Sequence, residues 1–154
     1  MKLAIRFRLN GAERSLEVAP NDTVLEMLRD GLGIKSPKSG CDRGDCGACT
    51  VLVDGLTVRS CLMLAAEADG CEIVTLEGIS ADPSLLQREF AAHNAFQCGF
   101  CAPGVVLAAT ELLARNPHPT REEIQEAIAG NLCRCTGYTP LIEAIEAAAG
   151  RSTP

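Results

Sequence analysis

Apolar and charged positions alternate strictly over the first nine residues. Leu3, Ile5, Phe7 and Leu9 fall on one side and Lys2, Ala4, Arg6 and Arg8 on the other, the period of a half-buried strand. Asn10-Gly11 follows as a hairpin turn, and Leu16 and Val18 resume the pattern in a return strand. Thr23 to Glu26 reads as a capping box that opens a short helix, with Leu25, Leu28 and Leu32 on its apolar face and Gly31 and Gly33 at its end. A second hairpin is predicted from Cys49 to Val53, through Asp54-Gly55, and from Leu56 to Cys61. A last strand runs from Glu72 to Leu76. These elements make an α+β half with a mixed sheet.

The period changes near residue 80. Asp82-Pro83 is read as a helix start, with Leu86 and Phe90 on one face. Gly104 to Arg115 is apolar on nearly every side and stops at Asn116-Pro117, so burial is expected. Thr120 and Glu123 form another capping box before Ile124, Ala127 and Ile128. Thr139-Pro140 opens a fourth helix that carries Leu141, Ile142 and Ile145 and closes at Gly150. Four helices on short loops predict a small bundle. The chain therefore divides into residues 1–77 and residues 78–154.

Composition changes this picture in one respect. The 154 residues include no Trp, one Tyr and four Phe, so aliphatic side chains must fill both cores. Halves of that size have thin cores, and metal staples would reinforce them. The net charge of −6 and the lack of a long basic run argue against nucleic-acid binding. The N-terminus lacks a continuous apolar stretch, and no segment has the length of a membrane span, so a cytoplasmic protein is expected.

The chemistry lies in the cysteines. Eight of nine fall into two sets of four: Cys41, Cys46, Cys49 and Cys61, then Cys98, Cys101, Cys133 and Cys135. The odd count and the missing secretory signal argue against disulfides. Cys-x4-Cys-x2-Cys with a later cysteine is plant-type [2Fe–2S] spacing. Between those ligands the backbone of Gly40, Gly44, Asp45 and Gly47 can wrap a compact core and bring N–H groups to the sulfurs. Lys38 and Arg43 flank this set, where a cation would offset thiolate charge. Zinc is the alternative at both sets, and the second set equally admits a [4Fe–4S] cluster. The loop with Cys98 and Cys101 joins helices one and two, and that with Cys133 and Cys135 joins helices three and four. Pseudo-twofold packing would bring all four thiols to one end.

The motifs GCDRGDCGACTV, FQCGFCAPG and GNLCRCTGY give the chain a resemblance to the small iron–sulfur subunit of the molybdenum hydroxylases, the xanthine dehydrogenase and aldehyde oxidoreductase superfamily. The resemblance covers about Lys2 to Ala149. It implies a β-grasp [2Fe–2S] ferredoxin domain followed by a four-helix-bundle [2Fe–2S] domain. It further implies a large molybdopterin-binding partner and a medium FAD-binding partner, in a heterotrimer or its dimer. Electrons would pass from molybdenum through the helical-domain cluster and the ferredoxin-domain cluster to the flavin. Gln97 and Cys135 are the expected pterin contacts, and Ala102 stands where the family often has Thr. A free-standing two-cluster ferredoxin-like carrier is the rival reading. No residue is assigned to bond-making catalysis. Cys71 reads as a buried inert thiol, His93 and His118 as surface or interface residues, and Tyr138 as packing.

Overall fold

The structure is a computed structural model that describes residues 1–79 and 84–151. Its first half is a five-stranded sheet in the order β2-β1-β5-β3-β4. Strands β1 (Leu3–Leu9) and β2 (Ala12–Val18) pair antiparallel across the predicted turn, where Asn10 and Gly11 both have positive φ. The period-2 reading holds: Ile5, Phe7 and Leu9 are buried and the alternate residues are exposed. Strands β3 (Thr50–Val53) and β4 (Leu56–Arg59) form the second hairpin. β5 (Glu72–Val74) lies between them, parallel to β1 and antiparallel to β3, so the sheet is mixed as expected.

The predicted helix after Thr23 is only partly regular. The capping box is present, with the Thr23 hydroxyl accepting from the Glu26 N–H and the Glu26 carboxylate accepting from the Thr23 N–H at 2.8 Å. Helix α1 (Val24–Glu26) then widens into a π turn over Met27–Gly31, closed by the Leu32 N–H on the Met27 carbonyl. Leu25 and Leu28 are buried as expected, and Met27 joins the core from the widened turn. A 3-10 turn at Ala65–Ala68, which the sequence pattern does not announce, buries Ala65 and Ala68 beneath β1. The buried core of this half is aliphatic except for Phe7 and Met27. Each fully buried Val, Leu or Ile contributes about 1.5–3 kcal/mol.

The last predicted strand is shorter than expected. It ends at Val74, and Leu76 instead starts the short helix α2 (Leu76–Ile79). Thr75 breaks the ladder because its N–H donates to the Asn10 side chain. Helix α3 (Leu85–Ala92) has Ser84 as its N-cap, in a capping box with Gln87. The predicted start at Asp82-Pro83 lies outside the described residues. Helices α4 (Ala102–Arg115), α5 (Arg121–Ile128) and α6 (Thr139–Arg151) match their expected positions. Residues 103–109 and Leu112 of α4 are buried, consistent with their unbroken hydrophobicity. α3 packs against α4 and α6, and α5 packs against the same two helices. Their shared core joins Leu86 and Phe90 to Val105, Ile124, Ile128, Leu141 and Ile145. α4 also packs on β3 and β4, which brings its N-terminal loop beside the first cysteine loop. Among the described residues no helix is long and apolar enough to cross a membrane.

Candidate metal centres

The first set gathers at the end of the sheet. Cys41 and Cys46 sit on the loop before β3, Cys49 precedes β3, and Cys61 follows β4, so the hairpin register carries the last two together. Their sulfurs are 3.3 Å apart. Cys41 and Cys46 lie together, with the Cys46 N–H donating to the Cys41 sulfur at 3.4 Å. Backbone N–H groups converge on this loop as anticipated. Those of Arg43, Cys46 and Asp45 lower the Cys41 thiol to about 7, with Arg43 contributing most. The Gly44 N–H serves Cys61 in the same way, but burial and the neighbouring Cys49 hold that thiol up at about 11. Burial also raises Cys46.

The glycines act differently from one another. Gly47 adopts a positive φ of 74° and meets the second half so closely that a Cβ there would lie 2.3 Å from the Gly130 carbonyl. Gly40 needs space rather than an unusual angle, since its Cβ would lie 2.8 Å from the Cys46 sulfur.

The second set is assembled by the fold, as the pseudo-twofold argument predicts. The Cys98–Cys101 loop precedes α4 and the Cys133–Cys135 loop precedes α6, and the two meet at one end of the helices. Cys98 and Cys135 are exposed with sulfurs 3.6 Å apart. Cys101 and Cys133 lie deeper, and each thiol shifts the other. Burial, with Cys133 beside it, pushes Cys101 up to about 12. At Cys133 burial acts the same way, but the Thr136 hydroxyl and the N–H groups of Cys135 and Thr136 outweigh it and lower the thiol. The Phe100 N–H and the Cys135 thiol lower Cys98.

Each set thus holds one close thiol pair, Cys49 with Cys61 at 3.3 Å and Cys98 with Cys135 at 3.6 Å, with the remaining thiols acting on one another electrostatically beside it. A single tetrahedral zinc would draw four sulfurs to one point. Paired thiols suit a two-iron core, in which each iron takes two protein ligands.

Other expectations resolve individually. Gln97 Nε2 donates to the Cys135 carbonyl at 3.1 Å, so the two residues singled out for pterin contact stand side by side at the surface. Ala102 is the first residue of α4. Cys71 is half-buried rather than buried, and burial with Asp54 beside it raises its thiol. The Tyr138 hydroxyl does more than pack, because it accepts from the Cys133 N–H at 2.8 Å and reaches the Asn131 carbonyl. His93 bonds through Nδ1 to the Glu89 carbonyl, and His118 is exposed. Arg43 is engaged by Asp45 at 2.6 Å, and Lys38 turns towards the second set instead of the first.

The sequence reading missed the seam between the loops. The Leu132 N–H donates to the Cys46 carbonyl at 2.9 Å, which joins a first-set residue to the neighbour of Cys133. Asn131, almost fully buried, donates to the Gly47 carbonyl and the Thr50 hydroxyl. Arg59 spans from Thr50 to the Gly130 carbonyl. The clue was Asn131 in an otherwise apolar approach to CRC, but its partners lie far off in sequence.

Two family profiles cover most of the chain. Residues 7–75 match the 2Fe-2S iron-sulfur cluster binding domain, and residues 75–146 match the [2Fe-2S] binding domain. The chain is 49% identical to the nicotinate dehydrogenase small FeS subunit of Eubacterium barkeri, over 97% of both chains. It superposes on a chain of quinoline 2-oxidoreductase from Pseudomonas putida with a TM-score of 0.93 and 44% identity, covering 97% of this chain and 94% of that one. The aldehyde oxidoreductase of Desulfovibrio desulfuricans gives a TM-score of 0.92 and 42% identity, with 96% of this chain matching 17% of that longer one.

Proposed function

The chain belongs to the family of small [2Fe–2S] iron–sulfur subunits of the molybdenum hydroxylases, and from that premise we propose that it carries electrons from a molybdopterin centre to FAD, each held by a partner subunit. It is a subunit of an oxidoreductase complex, and its contribution is electron transfer rather than bond-making chemistry.

In this reading Cys41, Cys46, Cys49 and Cys61 hold one cluster and Cys98, Cys101, Cys133 and Cys135 the other. Bound there, each cluster supplies reversible one-electron storage. The observation that carries the assignment is the gathering of each set, with one sulfur pair at 3.3 Å in the first and one at 3.6 Å in the second. The backbone donors around Cys41 and Cys61 stabilise thiolate charge without adding a formal charge. Cys98 and Cys135, exposed beside Gln97, put the second set at a surface where a large partner would deliver electrons. The Gln97 amide keeps its oxygen free of the Cys135 bond, so it can accept from a pterin edge while its nitrogen is held. The first set then faces the medium, FAD-binding partner. We read the first half as a β-grasp domain and the second as a four-helix bundle, divided at 77/78. Three chains in a heterotrimer, singly or as its dimer, complete the assembly. No feature favours the free-carrier alternative, and the exposed Gln97–Cys135 pair favours a docked subunit.

The test is the purified complex, kept anaerobic. Reduction should give two distinct [2Fe–2S] signals by electron paramagnetic resonance (EPR) and about four irons per copy of this chain. A single signal removes one of the two sites, and zinc in place of iron overturns the reading.

A further inference from the structure

Lys38 belongs to the first cysteine loop by its backbone and to the second by its side chain. Its N–H donates to the Ala48 carbonyl at 2.9 Å, between two first-set cysteines. Its Nζ instead donates to the Phe100 carbonyl at 3.4 Å and lies 5.3 Å from the centre of the Phe100 ring. Phe100 stands between Cys98 and Cys101 and is itself exposed. A further bond to the Ser36 carbonyl at 3.2 Å fixes the ammonium from behind. Burial and the nearby Arg29 draw its pKa down, while Glu77, Cys101 and Cys98 push back. Both of the cysteines named here belong to the second set.

We propose that Lys38 is a tuning residue for the cluster of the other half: its ammonium favours the reduced state of the group held by Cys98, Cys101, Cys133 and Cys135. This rests on the cluster assignment above. Each electron taken up adds negative charge to a centre already anionic through its thiolates. A fixed cation therefore stabilises the reduced form more than the oxidised one. The ammonium is half-buried and held by two carbonyls and a ring, so solvent screens it less than a free surface lysine. Arg43, as close to the first set in sequence, has its charge answered by Asp45. The result is a second set that accepts electrons more readily than its own half alone would make it.

The experiment is a redox titration of the purified Lys38→Gln complex followed by EPR, with Cys135→Ser used to assign the second-set signal. The one-electron equilibrium of the second cluster should move roughly tenfold towards oxidised, about 59 mV downward, while the first cluster stays in place. Lys38→Arg should restore most of the shift, because charge rather than shape is at issue. The proposal is overturned if Lys38→Gln moves neither potential, or moves the first cluster by as much as the second. A wild-type complex without two cluster signals would sink the parent assignment itself.

Discussion

Asn131 donates its side-chain amide to the carbonyl of Gly47 at 3.1 Å, with both residues buried, and so ties the two cysteine loops across 84 positions of sequence. Its second proton goes to the Thr50 hydroxyl at 3.2 Å, which also accepts from Arg59. The Gly47 carbonyl also accepts from the Thr50 N–H and hydroxyl, so what Asn131 alone adds is the tie across the two loops. The bond therefore governs the relative placement of the two sites as well as stability.

Asn131→Ala should cost about 1–3 kcal/mol in urea unfolding, for two lost hydrogen bonds worth about 0.5–1.5 kcal/mol each. The dipolar splitting between the two reduced clusters should change as well, while the g-values of each remain. A stability loss with unaltered splitting would reduce Asn131 to an ordinary structural residue.

Gly104 and Gly150 should respond in opposite directions to alanine. A Cβ at Gly104 would sit 2.4 Å from the Gly47 carbonyl, backbone that cannot easily yield. Gly104→Ala should therefore destabilise by about 1–3 kcal/mol and lower iron content. Nothing lies within 4 Å of a Cβ at Gly150, which is exposed within α6, so Gly150→Ala should stabilise by about 0.4–1 kcal/mol. Thermal melts of the two variants compare them directly.

Cys135→Ser should remove or distort the second EPR signal and spare the first, since its sulfur pairs with Cys98 alone. Cys71→Ser should leave iron content unchanged, because its thiol bonds to the Glu67 and Asp69 carbonyls and sits beside Asp54, not beside the eight thiols of the two sets. Iron loss in the Cys71 variant would overturn the ligand assignment.

Glu77 gives a pH dependence of known sign. Burial raises its carboxyl, but the Ser36 and Thr75 hydroxyls and the N–H groups of Glu77 and Ser36 outweigh it, and the carboxyl ends below its ordinary range. A depressed folded pKa means that the carboxylate stabilises above the unfolded pKa, and that this stability is lost as pH falls through the folded value. Glu77→Ala should therefore lower the melting temperature at neutral pH, with the deficit shrinking as the pH drops well below 4.5. A deficit constant with pH would mean that Glu77 acts by packing alone.

Local pattern was sufficient for most elements. The alternation in β1, the Asn10-Gly11 turn and the capping boxes at Thr23 and Thr120 depend on neighbours within a few residues, and each appears where the chain predicts it. The exceptions have tertiary causes. β5 stops at Val74 because Thr75 turns to Asn10, 65 positions away. The Ser84 cap went unread because Asp82-Pro83 offered a nearer start signal.

Cysteine spacing and the order of the motifs, with their resemblance to a known family, were enough to propose which eight thiols belong together, because a ligand must be of the right residue type. What the chain could not state was which sulfurs pair, which loop Lys38 serves, and what holds the two loops at a set distance. Those depend on contacts such as Lys38 with Phe100 and Asn131 with Gly47, and such contacts exist only once α4 packs on the sheet. A side chain's charge is written in sequence, but the atoms that feel it are chosen by packing.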